Sequence, residues 1–386
     1  MIKVRGNPAL HFFDRYVGIP AVALAGRLRR QRSLPSEINK IGLLKGGAIG
    51  DTVLLSGIIA DLRDAFPRAE LTLFAGESNY EMATLLGGLN RVVKVPAARP
   101  LKGFRAIRSV VVDVLLDFGQ WTRLEALFSM ASKATFTIGF HTADQHRHHG
   151  FDLAVDHCFS NHELENYRAL VSVLGVKASH LPSLPVPAHA SSIGMPYIVC
   201  HLWPGGRRRE LKQWPPDRWL RLITDFCNQG LTVVLTGGNS DRAPNRSLID
   251  RLPKSACMRM RNAAGGSLSE SLGLLASAQL VVSVDTGIMH IASALGVPLV
   301  ALHGPTSSAR WGPLNPQSIA IDTPLPEGGF INLGWEEMSP EPLCMEAISY
   351  EVVRDACNSL LHQANGFSRM RKEEEPAAII NSAANT

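Results

Sequence analysis

The sequence lacks several features that would assign it to well-known classes of protein. It contains six cysteines but no CxxC pair, so neither a disulfide scaffold nor a zinc ribbon is indicated. It has no run of 18 or more uncharged apolar residues, so a membrane-spanning helix is not expected. Charged residues make up only 19% of the chain and hydrophobic residues 45%, which excludes wholesale disorder. The cysteines are interpreted as reduced thiols, as in a cytosolic enzyme.

Motifs of several common nucleotide and metal sites are also missing. The chain has no GxxxxGK[ST] loop, and the turn at residues 46–50 does not fit GxGxxG because Gly46 and Gly47 are adjacent. Glu70 follows Gly50 by 20 residues, so a dinucleotide-binding fold stays open as an alternative. Histidines crowd into residues 141–162 without HExxH or zinc spacing, which favours a flexible, partly exposed loop over a metal site. These histidines are His141, His146, His148, His149, His157 and His162.

Positive charge is concentrated at the N-terminus. The 39 Lys and Arg exceed the 34 Asp and Glu by 5, and residues 1–35 alone carry seven basic side chains against Asp14, a net charge of +6. The rest of the chain is close to neutral, so a nucleic-acid partner is not expected. Within this arm the apolar segment 11–26 precedes the basic run, the reverse of a secretory signal. The arm suits a helix on an anionic membrane surface; a helix packed on the body and a disordered leader are the alternatives.

Strand and helix patterns alternate along the body, which predicts two successive α/β domains with parallel sheets. The predicted strands are 41–44, 70–75, 91–95, 110–116, 197–202, 231–236, 279–284 and 299–302, and the predicted helices are 53–66, 219–227, 268–276 and 288–295. A proline-rich segment at 181–193 predicts a linker, which divides the body into residues 36–185 and 186–362. The polar tail 363–386 is predicted to be disordered.

The first candidate site is the turn KGGAIGDT at residues 45–52, between a predicted strand and a predicted helix. Gly46, Gly47 and Gly50 let the backbone approach a ligand, and the helix N-terminus offers free N–H groups. Asp51 stands at the mouth of this turn, where open α/β folds bind ligands beside the carboxyl ends of the strands. Its carboxylate is either a helix cap or a general base, and the spacing leaves both interpretations open.

The second candidate site is DTGIMH at residues 285–290, which follows a predicted strand and opens a predicted helix. Thr286 and His290 are four residues apart, so they share one face of that helix. The Thr286 hydroxyl, the Gly287 N–H and the imidazole would converge on one point, as a diphosphate requires. The alternative is that Asp285 caps the helix and the histidine is a satisfied core residue.

The third candidate site is the basic loop WPGGRRRELKQWP after the strand 197–202. Arg207, Arg209 and Lys212, together with the arginine between the first two, place four cations at a strand's carboxyl end. Such a loop suits a phosphate clamp, and a solvated loop is the alternative.

At these residues the sequence resembles glycosyltransferase family nine, the ADP-heptose:lipopolysaccharide heptosyltransferases. The likeness extends from about Lys40 to Leu361. In chain order it is carried by IGLLKGGAIGDTVLLSGIIADLRDAFPRAELTLFA, TIGF, WPGGRRRELKQWPPDRWLRLI, VVLTGG, LVVSVDTGIMHIASALGVPLVALHGPT and CMEAISYEVVRDACNSLL. Each piece is moderately specific, and all of them in this order are strongly specific.

The resemblance implies a GT-B fold, in which two Rossmann-like, doubly wound domains face a central cleft. The N-terminal domain would hold the acceptor and the C-terminal domain the nucleotide sugar. The proposed base of the family falls on Asp51, and its phosphate-contacting lysine falls on Lys212. Its donor motif falls on Asp285, Thr286, Gly287 and His290. Gly238 and Asp241, after the predicted strand 231–236, are the remaining donor-site candidates, with Asp241 shifted from the family's usual position for the ribose-binding acid.

The implied reaction is an inverting, metal-independent transfer of a heptose or related sugar from an ADP-sugar, with no cofactor. Asp51 would take a proton from an acceptor hydroxyl as that oxygen attacks the anomeric carbon, and the diphosphate would leave as a stable anion. An inverting glycosidase needs a second carboxylic acid for its leaving group, whereas a diphosphate does not. The missing DxD motif agrees with a reaction that uses no metal.

The expected acceptor is a lipopolysaccharide core or similar lipid-linked glycan at the cytoplasmic face of an inner membrane. The protein is therefore expected to be cytoplasmic and peripheral to that membrane. The alternatives are a GT-B enzyme that uses a UDP- or GDP-sugar, and a non-catalytic nucleotide- or sugar-binding protein. An NAD-dependent oxidoreductase is disfavoured by the missing GxGxxG.

Overall fold

The computed structural model describes residues 12–28, 32–186, 193–194, 196–206, 208–334 and 336–374, with side chains as far as residue 363. The elements form two parallel sheets of six strands each, as the alternating pattern predicts. The strands are β1 (Lys40–Lys45), β2 (Glu70–Ala75), β3 (Arg91–Lys94), β4 (Val111–Asp117), β5 (Lys133–His141), β6 (Leu153–Asp156), β7 (Tyr197–His201), β8 (Thr232–Leu235), β9 (Met260–Asn262), β10 (Leu280–Val284), β11 (Leu299–His303) and β12 (Ser318–Asp322).

The helices connect these strands and cover both faces of each sheet. They are α1 (Ile19–Arg27), α2 (Ile49–Ala65), α3 (Tyr80–Thr84), α4 (Pro100–Ile107), α5 (Arg123–Ala131), α6 (Glu163–Ser172), α7 (Pro216–Asn228), α8 (Arg242–Ile249), α9 (Lys254–Cys257), α10 (Leu268–Ala276), α11 (Gly287–Ala294), α12 (Ser308–Trp311), α13 (Cys344–Ala347) and α14 (Tyr350–Glu374). Short 3-10 turns include Arg147–Gly150, Arg209–Lys212 and Asn239–Asp241.

Both sheets have the doubly wound strand order. The first runs β3-β2-β1-β4-β5-β6, and the second runs β12-β11-β10-β7-β8-β9, which is the same order when its strands are counted from β7. In each sheet the winding therefore reverses beside a central strand, between β1 and β4 and between β7 and β10. Ligands of open α/β folds bind at such switch points, outside the carboxyl ends of the strands.

Continuous apolar runs place the central strands in the core. Five of the six residues of β1 and all five of β7 are buried, as parallel strands covered on both faces require. One apolar core contains Val53 and Leu54 of α2 together with Met289 and Ile291 of α11. The two domains are therefore joined by direct packing of helix on helix, and the N-termini of α2 and α11 meet at the cleft.

The arm predicted at residues 1–35 packs on the first domain where it is described. Asp14 accepts hydrogen bonds from the backbone of Arg123 (3.2 Å) and Leu124 (3.0 Å), so it caps α5 from outside that helix. Val22 of α1 is fully buried in an apolar cluster with Ala126 and Phe151. The arm also keeps large apolar side chains exposed, namely Phe12, Phe13, Tyr16, Val17, Leu24 and Leu28.

The predicted tail differs in part from the structure, and parts of the predicted linker and tail lie outside the described residues. The tail was expected to be disordered from residue 363, whereas α14 continues to Glu374. The reason is visible in the sequence: no proline interrupts the segment until Pro376, and a proline disfavours helix at the residue before it. Residues 187–192 of the predicted linker and residues 375–386 of the predicted tail lie outside the described residues.

All six cysteines lie within the described residues, where they are free thiols, and Cys158 is the exposed one. Among the helices described, none is both long and apolar enough to cross a membrane.

Candidate active site

The first half of the site is the turn between β1 and α2. Ala48 precedes α2 with φ 66°, a left-handed conformation that a residue with a side chain adopts only under strain. Asn79 holds the turn by donating to the Lys45 carbonyl (3.0 Å) and the Thr52 hydroxyl (2.8 Å). Asp51 lies in the first turn of α2, and the residue at the cap position is Ala48. The carboxylate is therefore free of the capping role that the sequence left open.

Asp51 is held by one cation. Its Oδ2 lies 2.8 Å from the Nζ of Lys45, whose side chain is only 5% exposed, whereas that of Asp51 is 16% exposed. Lys45 also donates to the carbonyl of Phe118 (3.1 Å), which fixes the ammonium group at the end of β4. The arrangement keeps the carboxylate at a defined point at the cleft, where part of it can reach a ligand.

Two further polar side chains lie behind this pair. The Glu125 carboxylate packs against the backbone of Gly46, and burial, followed by repulsion from Asp117, raises its pKa to about 7. The hydroxyl of Tyr167 is buried with no hydrogen-bond partner among the described residues. Burial, reinforced by the charge of Asp51, raises the pKa of this phenol. These groups make the wall behind Asp51 polar, and the sequence pattern gave no signal for either.

The second half of the site lies at the carboxyl ends of β10 and β11. Thr286 precedes α11 but makes no capping hydrogen bond with its own helix, and its Oγ1 lies 3.4 Å from the Ser283 hydroxyl. The Nζ of Lys212 donates to Oδ2 of Asp285 at 2.7 Å. Burial alone would raise the pKa of the Asp285 carboxyl, but Lys212 and His303 outweigh burial and hold the pKa well below its usual value.

His290 connects the two halves. Burial lowers its pKa to about 4, even though Asp285 and Asp51 both favour the charged ring. The imidazole is therefore neutral at pH 7 and carries one N–H donor. A Cβ on Gly50 would lie 2.3 Å from Cδ2 of this ring, and a Cβ on Gly287 would lie 2.8 Å from Cβ of Ile49. The two predicted sites thus face each other at van der Waals contact.

The remaining predicted residues lie around this centre. Gly46 and Gly47 form the turn before α2, and Gly238 follows β8, where its N–H donates to Oδ2 of Asp241 (2.8 Å). One oxygen of Asp241 is therefore engaged in its own turn. Arg209 is half exposed and lies 3.7 Å from its neighbour Glu210.

The basic loop divides its cations. The neighbouring Arg208 pairs with Glu341, and Arg207 lies outside the described residues. Of the three cations of this loop that the structure describes, Lys212 is the one placed against the DTGIMH segment.

The histidine-rich segment is more ordered than expected. His157 is buried and pairs with Glu163 (3.1 Å), and His162 accepts a hydrogen bond from the Leu164 backbone while its Nε2 lies 3.1 Å from the Gly312 carbonyl. The prediction of a flexible, partly exposed loop is therefore wrong for these two residues, because each has a fixed partner in the folded body. In the part of the chain that the structure describes, no group of three or more His, Cys, Asp or Glu side chains is arranged to hold a metal ion.

The comparisons with known proteins agree with this architecture. Residues 101–328, more than half of the chain, match the family profile of glycosyltransferase family 9 (heptosyltransferase). A lipooligosaccharide heptosyltransferase 2 of Haemophilus influenzae is 34% identical over 119 residues, which cover 31% of this chain and about a third of that protein (34%). A lipopolysaccharide core heptosyltransferase, OpsX, of the same organism is 22% identical over 71% of this chain and 81% of its own length.

Solved structures share the fold over most of this chain. The structure of E. coli ADP-heptose lps heptosyltransferase II has a TM-score of 0.70 at 21% identity, over 84% of this chain and 99% of that one. The E. coli heptosyltransferase WaaC with ADP has a TM-score of 0.68 at 17% identity, over 83% and 99%. These likenesses confirm the two-domain GT-B fold. Together with the profile match, they show that the chain belongs to glycosyltransferase family 9, the heptosyltransferase family.

Proposed function

We propose that the protein is an inverting, metal-independent glycosyltransferase that moves a heptose or related sugar from an ADP-sugar to a lipopolysaccharide core or similar glycan. One observation carries this proposal: the Asp51 carboxylate and the DTGIMH helix face each other across the contact between Gly50 and His290. A base and an anion-binding helix on opposite sides of one cleft are what a displacement at a sugar phosphate requires.

The donor diphosphate would bind at the N-terminus of α11. Thr286 makes no side-chain capping hydrogen bond with α11, so its hydroxyl and the N–H of Gly287 can face a ligand. The neutral ring of His290 can also donate a hydrogen bond. Lys212 supplies a positive charge within reach of the same point, from its place beside Asp285. An ADP-linked donor is supported by the fold relative WaaC, whose solved structure is described as containing ADP.

The chemistry would be a single displacement. Asp51 accepts the proton of an acceptor hydroxyl as its oxygen attacks the anomeric carbon, and the bond from that carbon to the diphosphate oxygen breaks on the opposite face. Charge then develops on the diphosphate, where Lys212, the α11 N-terminus and His290 stabilise it. We propose that these groups take the place of a metal ion, and that turnover is unchanged in EDTA.

The acceptor would be lipid-linked, and the protein would sit peripherally at the cytoplasmic face of an inner membrane. The support is the arm, which is fixed to the acceptor-side domain through Asp14 and Val22 while it exposes aromatic side chains beside Arg15 and Arg27. A helix of this kind suits the interface of an anionic membrane.

The donor site is tested by calorimetric titration with ADP, UDP, GDP and NAD of the wild type and of His290→Ala. We expect ADP to bind most tightly, and we expect the variant to weaken it about 10-fold or more because one buried donor is lost. The matched control is His201→Ala, a buried histidine at the end of β7 in the same domain, whose ring bonds Thr236. Preference for UDP or GDP would keep the site and replace the donor, whereas no binding of any nucleotide would contradict the transferase proposal.

A further inference from the structure

A second buried histidine, His303, lies beside the proposed donor site, and the proposed reaction gives it no role. His303 ends β11, its ring is fully buried, and neither Nδ1 nor Nε2 has a hydrogen-bond partner among the described residues. Buried polar atoms are almost always paired, because an unpaired one forfeits its hydrogen bonds to water. The residue belongs to none of the predicted sites, and its imidazole therefore requires an explanation.

The sheet places this ring between two carboxylates. His303 pairs in register with Asp322 of β12 on one side. On the other side, Val284 of β10 pairs in register with Leu302 of β11. The N–H of Asp285 also donates to the Leu302 carbonyl at 3.1 Å. Asp285 and His303 each follow one member of this pair, so they are neighbours.

The two carboxylates differ in what they already bind. Asp322 is engaged by Ser308, which donates to it from its backbone N–H (2.9 Å) and its hydroxyl. The Asp285 carboxylate has one side-chain partner among the described residues, the Nζ of Lys212.

The single positive charge of Lys212 is needed by two partners, Asp285 and the proposed donor diphosphate. In the structure it neutralises the buried Asp285, and in the proposed reaction it must also bind the donor diphosphate. If the ammonium moves to the diphosphate, Asp285 is left as a buried carboxylate without a cation, which is strongly unfavourable. A neighbouring group that can become positive at that moment would remove the penalty.

We propose that His303 is this group: when a nucleoside diphosphate draws Lys212 away, His303 takes one proton from solvent and donates a hydrogen bond to Asp285. The Lys212–Asp285 contact is broken, a His303–Asp285 contact forms, and the added proton balances the charge. His303 is thus a positioning residue that releases Lys212 for the donor, and this role rests on the proposed function of the site.

The electrostatic surroundings have the required sign. In the structure burial lowers the pKa of His303, Asp285 and Asp322 oppose that shift, and Lys212 and His162 add to it. The ring is therefore neutral before the ligand binds. Removing the Lys212 charge and bringing in a diphosphate both favour protonation, so the pKa of His303 rises on binding. His290 also faces Asp285, so the test must separate the two rings.

The test is calorimetric titration with ADP at pH 7 in buffers of different ionisation enthalpy, which measures the protons taken up on binding. We expect the wild type to take up a large fraction of one proton for each ADP bound. Its dissociation constant would then rise up to about 10-fold for each pH unit above neutrality. His303→Gln should still bind ADP but take up no proton. The control His201→Gln should retain the uptake, because the charge that faces His201 is that of Asp241.

Each other outcome has a defined meaning. Tight ADP binding without proton uptake in the wild type, or uptake that persists in His303→Gln, would overturn the role of His303 and leave the donor site standing. Absence of ADP binding in the wild type would contradict the donor site and this role with it. If His303→Gln does not fold, nitrogen-15 NMR of histidine-labelled wild type reports the same step. One imidazole that is not lost in His290→Gln should pass from neutral to protonated as ADP is added, and no such change would overturn the proposal.

Discussion

The chemistry of the site depends on how tightly single residues are fixed. Asp51 is held by the Lys45 ammonium at 2.8 Å, and Lys45 is held in turn by the Phe118 carbonyl. The turn that carries Asp51 passes through Ala48 at φ 66°, so the backbone is strained where the carboxylate is presented. The opposite side depends on the absence of a side chain at Gly50, because the His290 ring occupies that space.

Gly50→Ala tests this close contact. Alanine is the better helix former by about 1 kcal/mol, so an isolated helix would be stabilised by the change. In this protein the new Cβ would lie 2.3 Å from the His290 ring, and we expect the ring to be displaced from the proposed donor site. ADP affinity should fall at least 10-fold, as measured by calorimetry. Gly87→Ala is the control, since nothing lies within 4 Å of its Cβ position, and equal effects of the two changes would contradict the contact.

Among the elements, the N-terminal arm has two faces with different surroundings. One face is fixed to the body by the Asp14 cap on α5 and by the burial of Val22. The other face is apolar and exposed: Phe12, Phe13 and Tyr16 are 57%, 60% and 61% exposed. Deleting the whole arm would remove the cap and the buried valine as well, so substitutions on the outer face separate membrane contact from folding.

The triple variant Phe12→Ser, Phe13→Ser, Tyr16→Ser should bind vesicles of phosphatidylglycerol and phosphatidylcholine several-fold more weakly than the wild type, because it loses the apolar surface that enters the interface. Sedimentation with the vesicles measures the bound fraction. Leu343→Ser combined with Val352→Ser is the control, since both residues are exposed apolar side chains of the other domain. Unchanged binding of the triple variant would contradict the membrane role of the arm.

Prediction from sequence worked best where an element obeys a local rule. The strand 70–75 and the helix 268–276 have the predicted bounds, because apolar periodicity and a Ser267–Glu270 capping box define them. Four strands were missed. Three of them, β6, β9 and β12, are short, largely exposed edge strands without a clear apolar pattern. The fourth, β5, is mostly buried, but polar residues alternate with apolar ones along KATFTIGFH, so no continuous apolar run marks it. The tail was predicted to be disordered from residue 363, whereas α14 continues to Glu374. The run of charges on which that prediction rested is equally compatible with an exposed helix.

At the scale of the whole molecule, the cleft depends on contacts between residues far apart in the sequence. Arg310 of the second domain lies buried 3.4 Å from Glu163 of the first, 147 positions away, and Gln120 donates to the same carboxylate. The sequence identifies Asp51 and the DTGIMH segment because each follows a strand and opens a helix. It gives no signal for Arg310, Glu163 or Tyr167, because their proximity exists only after the two domains pack.

Buried titratable groups make the stability of the whole protein depend on pH. The pKa values of His201 and His290 are lowered to about 4 by burial, and that of His303 is lowered as well. Between pH 6.5 and 4 these histidines are therefore protonated in the unfolded chain but remain neutral in the folded protein. The free energy of unfolding consequently decreases as the pH falls. Glu125, with its pKa raised to about 7, acts in the opposite direction over the same range. Burial also lowers the pKa values of His148, His149 and His162, whereas the hydrogen bond to Asp64 raises the pKa of His180, which therefore acts in the same direction as Glu125. Six groups against two predict net destabilisation by acid.

Urea denaturation at pH 7 and pH 5 measures this effect. We expect the midpoint of the wild type to fall on acidification, and His201→Gln to fall less, because His201 alone contributes about 2 kcal/mol between pH 6.5 and 5. A variant that loses as much stability as the wild type over this interval would show that the buried ring is not the source.

The central claim, that Asp51 is the base of a sugar transfer, is tested most directly by measuring ADP release from ADP-heptose in the presence of a lipid-linked core acceptor. Asp51→Asn should reduce kcat by about 10²–10⁴ while ADP binding stays within about twofold, because a base acts in the transition state and not in donor binding. Asp64→Asn, an exposed carboxylate at the far end of the same helix, should keep the wild-type rate. A near-normal kcat in Asp51→Asn would contradict the assignment of the base.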